Sequence, residues 1–323
     1  MLQFLIRRSF GAVLILVLIS AFTFFMFFAI PQDRMLACGK NCNPDALEII
    51  HKNLGFDQPV TVQYWHFLAG IFTGREFAVG HCDAPCFGVS FANNQNVWDT
   101  ILDRFPLTVS LTVGSLIVFL IVGLGAGLLA AKNRGTWIDK VFSSGSLVVS
   151  SLQIFLGPLV LLALVYSTGW LQKPKYVPIS EDAAGWFAGL LLPWIVMATI
   201  FTANYARMSR SSMIEQLQEE HVRAARAKGM SSNYTFFRYA WRGSLVPIVT
   251  ILGIDLSALM GGGMVTEMTF GLAGIGRSRW SRSINKDLPM LMGVMLVSAA
   301  LIIVFNLIVD AMYAVIDPAS RLS

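Results

Sequence analysis

The chain has 323 residues, of which 55% are hydrophobic and 13% charged, with a formal net charge of +5 and a mean hydropathy of +0.63. A soluble domain carries about 25% charged residues, so the composition excludes an ordinary soluble protein and points to one embedded in a membrane. The small basic surplus is read as membrane topology, not as a nucleic-acid site, because it follows the segments between apolar runs.

Residues 10–30 (FGAVLILVLISAFTFFMFFAI) contain no charge, and about 20 apolar residues suffice to cross a hydrocarbon core ~30 Å thick. Arg7 and Arg8 precede this run, as in a signal peptide. The run is too long for a signal h-region, however, and FFAIPQD offers no A-x-A cleavage site. A retained first span is therefore expected. Segment 31–105 follows and holds all four cysteines: Cys38, Cys42, Cys82 and Cys86. In an oxidising compartment they predict two disulfides, in one of three connectivities. Metal binding by the two C-x3-C pairs, aided by His51, His66 or His81, is the alternative, although structural zinc sites more often use C-x2-C or C-x4-C. Within this segment LGFDQPVTVQYWHFLAGIF reads as an amphipathic helix. The 75 residues are expected to form a small extracytoplasmic subdomain, cross-linked because it has little core of its own.

Five further spans are predicted, at about 106–131, 141–170, 187–206, 244–264 and 289–316. Pro158 would kink the third. If the N-terminus is cytoplasmic, segments 1–9, 132–140, 207–243 and 317–323 hold 13 Lys/Arg against 5 Asp/Glu. Segments 31–105, 171–186 and 265–288 hold 11 against 12. That bias is the positive-inside pattern, and it places both termini on the cytoplasmic side.

Enzymatic constellations are thin. No G-x4-G-K-[ST] run is present, so the chain is expected to hold no ATP phosphates of its own. The glycines of GLAGIG (Gly271, Gly274, Gly276) do not match G-x-G-x-x-G and read as a tight turn. No His lies in a span and no H-E-x-x-H occurs. Two acids do fall in spans, Asp255 and Asp310. Charge in hydrocarbon is costly, so such residues face a bundle interior or water. Asp255 is a candidate pathway-lining or interhelical group, and Asp310 is read as reaching the interface near the end of its span.

Segment 207–243 is the informative part. Helical spacing sets Ile214, Leu217, His221, Ala224 and Lys228 on one stripe, with Val222 and Ala225 beside it. Glu219 and Arg223 form an i,i+4 pair in the favourable order. Gly229 supplies a helix stop, and Ser231 or Ser232 caps a second short helix through YTFFRYAWR. The small Ala224–Ala225 pair offers close approach to a partner. A helix resting on anionic lipid has the same pattern.

The sequence EEHVRAARAKGMSSNYTFFRYAWRGSLVPIVTILG resembles the E-A-A-x3-G cytoplasmic-loop signature of bacterial ABC importer permeases, in the version of the dipeptide/oligopeptide/nickel permease family. Val222, Arg223, Ala225, Arg226, Ala227, Lys228 and Gly229 carry it, then Ala240, Arg242 and Pro247. FLIRRSFGAVLILVLISAFTFFMFF, DRFPLTVSLTVGS, GGGMVTEMTFGLAGIG and VDAMYAVIDPASRLS fall where that family has similar segments. The resemblance implies an all-α integral membrane protein of six transmembrane helices, like a type I ABC importer. It divides into 1–30 (tail and first helix), 31–105 (extracytoplasmic subdomain) and 106–323 (permease core with coupling loop 207–243). It further implies a bacterial cytoplasmic-membrane subunit that pairs with a second homologous permease. An external solute-binding protein would deliver peptides, and two cytoplasmic ATPase subunits or domains would hold ATP and Mg, this chain itself binding no cofactor or metal. The ATPase-coupling role is carried to Arg223, Ala224, Ala225 and Gly229, with Glu220 and Lys228 flanking. Arg223 stands at the acidic position of the general signature, His221 where Tyr is usual and Ala273 where Pro is frequent. Asp255 replaces an uncharged polar residue, and the cysteine-bearing segment departs from the family. Relatives of this type also import nickel complexes, haem or oligosaccharides. A gradient-driven carrier using Asp255 and Asp310, or a non-transporting receptor on the same bundle, are the readings from other classes.

Overall fold

The computed structural model describes residues 2–28, 58–77, 80–90, 95–151, 160, 163, 174–277 and 287–316. Among them the chain is almost wholly helical. In order come α1 (Leu2–Phe28), α2 (Val60–Thr73), a hairpin of β1 (Arg75–Phe77) and β2 (Gly80–Cys82), α3 (Val97–Lys132), α4 (Trp137–Ser151), α5 (Ala183–Gln216), α6 (Glu220–Ala227), α7 (Trp241–Thr269) and α8 (Leu288–Ile316). Three stretches are long and apolar enough to cross a membrane: Arg8–Met26 in α1, Val97–Lys132, and Leu288–Val309 in α8. A fourth is α5, counted as the bent pair Ala183–Thr199 and Phe201–Gln216. Of the remaining expected spans, 141–170 falls largely outside the described residues, Pro158 included, and 244–264 lies within α7.

Two boundaries differ from expectation. α3 starts at Val97, well before the predicted start at Pro106, and Pro106 sits inside the helix. The extra turns form because Val97 and Ile101 are fully buried against Ile275, Met290 and Val294, and that burial outweighs the amide hydrogen bond lost at proline. α5 runs to Gln216, ten residues past its apolar stretch.

The chain forms two compact units. One comprises residues 1–108 and 273–303, the other 109–272 and 304–323. In the first, α2 packs on α1, and Phe24, Phe67, Met292 and Leu296 make a common core. The hairpin pairs Arg75 with Cys82, Glu76 with His81 and Phe77 with Gly80. Ser90 donates to the buried Asp287 carboxylate at 2.6 Å.

In the second unit α3 and α5 meet along small residues. A Cβ on Gly127 would lie 2.5 Å from the Ala206 carbonyl, and one on Gly123 would lie 3.0 Å from that of Thr202. The G-x3-G spacing thus lets backbones approach where a side chain would separate them. The Trp194 indole N–H donates to the Ser110 carbonyl at 2.9 Å, closing the other end of this seam. α3 carries a π-helical turn, Leu120–Leu124, where it meets Tyr205 of α5.

Candidate functional site

The polar helix α6 is built from its ends. α5 stops at Gln216, and a turn follows in which Gln218 and Glu219 donate to the carbonyls of Glu215 and Gln216. Glu219 is extended and is the N-cap residue. Glu220 stands in the first turn and Arg226 in the last, each the favourable charge for that end of the helix dipole. At the far end Gly229 has φ +82, its N–H donating to the Arg226 carbonyl at 2.9 Å. The Met230 N–H donates to the Ala225 carbonyl at 3.3 Å. This 6→1 and 5→2 pair is a Schellman closure, which needs the left-handed residue that glycine supplies. The expected stop at Gly229 is therefore found.

The next element differs from expectation. Ser231 does cap it, accepting from the Tyr234 N–H at 3.4 Å. No separate short helix follows: Ser232–Tyr234 passes through a π-helical stretch, Thr235–Ala240, directly into α7.

Beneath α6 lies a small core of Ala131, Met213, Val222, Phe236 and Ala240. Val222 is 0% and Ala225 4% exposed, whereas Glu220, His221, Arg223, Ala224, Arg226 and Lys228 are exposed. The stripe expected from sequence is thereby corrected. The break at 217–219 resets the helical phase, so Ile214 and Leu217 face this core while His221, Ala224 and Lys228 face away. Ala224 and Ala225 likewise do not form one surface, since consecutive helical residues point about 100° apart. Ala225 holds the helix to its own core. Glu219 meets Arg223 through the backbone, its carbonyl accepting the Arg223 N–H at 3.1 Å.

A part-buried ion pair with no local signature in the sequence braces this region. Arg210, on α5, donates from Nε and Nη2 to the two oxygens of Asp139 on α4, at 2.5 and 2.8 Å. The Gly135 N–H donates to Asp139 Oδ2 at 3.0 Å, and the Ser143 hydroxyl donates to Asp139 Oδ1 at 3.4 Å. Hydrogen bonds from Arg210 first, then from Gly135, hold the Asp139 carboxyl well below the usual carboxylate range, against the opposing effect of burial. The only trace in sequence is an acid three residues past a Gly-Thr turn and an arginine at a span end.

Asp255 is half-buried on α7. The Tyr205 hydroxyl, buried and without a well-formed hydrogen bond, faces its carboxyl. Tyr205 in turn packs on Phe119, ring centroids 4.8 Å apart, beside the π-helical turn of α3. The side chain of Asp310 lies outside the described residues. Cys82 and Cys86 are joined in a disulfide, which removes both from any thiolate metal set; His81 pairs with Asp83 at 3.3 Å. Cys38, Cys42 and His51 lie outside the described residues. GLAGIG opens on a turn, Gly271 having φ +70 and Leu272 N–H closing on the Glu267 carbonyl at 2.8 Å, so α7 ends by the same device as α6.

Residues 123–322, which contain α5, α6 and α7, match the family described as binding-protein-dependent transport system inner membrane component. The chain belongs to that family. Residues 1–112 match the N-terminal region of the same kind of membrane component. A Brucella abortus (strain 2308) protein with the provisional name of a peptide transport system permease is 32% identical over 99% of both chains. The glutathione transport system permease protein GsiC of Escherichia coli (strain K12) is 30% identical, again over 99% of each. A Sinorhizobium fredii protein provisionally named a peptide ABC transporter permease is 29% identical over 98% of this chain. The protein is an ABC importer permease of the peptide/oligopeptide family and a multi-pass inner-membrane protein.

Proposed function

We propose that this permease forms half of the path by which di- and oligopeptides cross the cytoplasmic membrane, and that α6 is where it takes up the work of ATP hydrolysis. It has six spans with both termini cytoplasmic, pairs with a second homologous permease, and receives peptide from an extracytoplasmic solute-binding protein. Cytoplasmic ATPase subunits bind ATP and Mg; this chain holds no nucleotide site.

The observation that carries the coupling role is the construction of α6. A one-core, eight-residue helix is closed at its C-terminal end by Gly229, seated by Val222 and Ala225, and presents Glu220, Arg223, Ala224, Arg226 and Lys228 outward. Such an element moves as a body when pushed. It differs from a lipid-resting helix, which would turn its large apolar side chains outward. Peptide cargo is supported by the names of full-length relatives for peptides and for glutathione. Asp255 and Tyr205 are assigned to the lining of the path, where a carboxyl in a membrane span finds water or a cationic group. The disulfide Cys82–Cys86 cross-links part of the extracytoplasmic segment.

The test uses the assembled importer in proteoliposomes, measuring peptide uptake and ATP hydrolysis together. A Cβ at Gly229 meets nothing within 4 Å, so a substitution there strains only the backbone. Gly229→Val is expected to leave insertion and assembly intact while ATP hydrolysis no longer drives uptake, and Gly229→Asn, which tolerates the left-handed region, to restore much of the coupling. Normal uptake by Gly229→Val, or proton-driven uptake by this chain without ATPase, would sink the assignment.

A further inference from the structure

α2 was expected to belong to a subdomain outside the membrane. Its 14 residues, VTVQYWHFLAGIFT, carry no Asp, Glu, Lys or Arg. As a helix they extend about 21 Å, too short to cross a bilayer alone but of the length seen in re-entrant elements.

The neighbours of α2 fix its depth. Tyr64 Oη lies 2.9 Å from Ser20 Oγ and 3.4 Å from the Val17 carbonyl, both on α1. The Tyr64 ring packs on Phe24 and Phe25 at 5.5 and 6.0 Å. The crossing stretch of α1 is Arg8–Met26. At 1.5 Å per residue, Val17 stands about 14 Å and Ser20 about 18 Å from Arg8 within a core ~30 Å thick, so the Tyr64 hydroxyl reaches the mid-plane. α8 gives a second measure. Phe67 of α2 shares a core with Met292 and Leu296, which lie about 6 and 12 Å inside the span starting at Leu288. Phe24 of the same core is within about 6 Å of the far edge when counted from Arg8. The two helices agree.

The face of α2 turned away from this core is apolar. Val62, Trp65 and Phe72 are 38%, 66% and 77% exposed, with Ala69 between them. Thr61 lies at one border of the stripe, His66 and Thr73 at the other. At the same depth α1 exposes Leu18 and Phe22, side chains of a membrane span that meet lipid. The ends of α2 carry a few backbone hydrogen bonds of their own. Val62 and Gln63 N–H donate to the Pro59 carbonyl, and the Gly74 N–H returns to Gly70. Arg75, the next residue, folds back against Gly70 and lays its guanidinium over Phe67 and Phe77 at 5.5 and 5.2 Å.

We propose that α2 is embedded in the bilayer, dipping to the mid-plane from the side opposite Arg7 and Arg8 and returning, with Val62, Trp65 and Phe72 against lipid acyl chains. That this is the outer leaflet rests on the orientation proposed above; the embedding does not. The element supplies a lipid-contacting wall beside α1 and α8, and the disulfide-bearing hairpin follows directly where α2 returns.

The assembled importer in nanodiscs tests this without any transport step, so a failure of the peptide reading leaves it untouched and the reverse. The emission of Trp65 is obtained as the difference between wild type and Trp65→Phe. In nanodiscs of phospholipid brominated along the acyl chain that component is expected to lose most of its intensity, and aqueous iodide is expected to leave it unchanged. Quenching by iodide would place Trp65 in water and overturn the proposal. Insensitivity to both would mean a protein partner covers the face, and would overturn it too. Independently, a phospholipid with a diazirine in its acyl chain should label the peptide spanning 60–73 as heavily as the exposed face of α1; labelling of α1 alone would overturn it.

Discussion

Arg210 and Asp139 lie 71 residues apart in sequence and meet in a two-bond pairing, Nε to Oδ1 and Nη2 to Oδ2. Asp139 is 8% exposed and Arg210 30%, so removing the acid strands a partly buried cation. Asp139→Asn is expected to destabilise the protein by about 2–3 kcal/mol, the range for a charge-assisted hydrogen bond lost in a buried setting. Thermal unfolding in detergent measures it.

The same pair makes a pH prediction. The Asp139 carboxyl is depressed in the folded state, so its stabilisation is fully present above the unfolded value near 4 and is lost as pH falls through the folded value. The difference in Tm between wild type and Asp139→Asn should therefore stay constant from about pH 8 down to about pH 5 and narrow only in stronger acid. A gap that closed between about pH 6 and 8 would mean another group carries the effect.

Ala224 and Ala225 are adjacent but inequivalent. Ala225→Leu forces three extra carbons into the space over Val222 and should lower stability by about 1–3 kcal/mol, the usual cost of overpacking. Ala224→Leu points into solvent and should leave stability within about 0.5 kcal/mol of wild type. If Ala224 meets the ATPase, that second variant alone should weaken co-purification with it. Equal effects on stability would contradict the observed helix phase.

Gly127 and Gly125 offer a matched pair on α3. Gly127→Ala drives a methyl toward the Ala206 carbonyl and the Ser209 side chain, whereas Gly125→Ala meets nothing within 4 Å. The first should destabilise by about 1–3 kcal/mol, and the second should be neutral or stabilise by up to about 1 kcal/mol, because alanine is the better helix former. Tm of the two purified variants decides it.

Tyr205→Phe removes a buried hydroxyl with no well-formed hydrogen bond, so stability should change by no more than about 0.5–1 kcal/mol. If the hydroxyl and Asp255 line the path together, uptake by Tyr205→Phe and Asp255→Asn should fall, and the double variant should fall less than the two effects multiplied. Strictly multiplicative losses would separate the two residues functionally.

Much of this protein was legible from sequence because the bilayer imposes simple lengths and periods. Uncharged runs located α1 and α8, and Gly229 marked the end of α6 since only a left-handed residue closes it. The phase of α6 was not legible. Apolar spacing read through Leu217 crosses a break at 217–219 that no proline or glycine announces, so it points Ala225 outward. Asp139 and Arg210 escaped because an ion pair between separate helices leaves no local pattern. The depth of α2 escaped for a different reason: its length falls between a span and an interfacial helix, and only Ser20, Phe24 and Met292 determine where it lies.

The uninterrupted passage from Ser231 into α7 has a mechanical consequence. Phe236 and Ala240, which seat α6, and Asp255, which faces Tyr205, sit on one continuous helical rod. Ala240 and Asp255 are separated by about 22 Å along it. With the rod pivoting near its buried foot, a tilt of about 5° would carry Asp255 sideways by about 2 Å over that length. That is enough to make or break one hydrogen bond. A push on the surface of α6 would therefore reach Asp255 along one helix, with Pro247 between Ala240 and Asp255 as the place where that helix bends most easily.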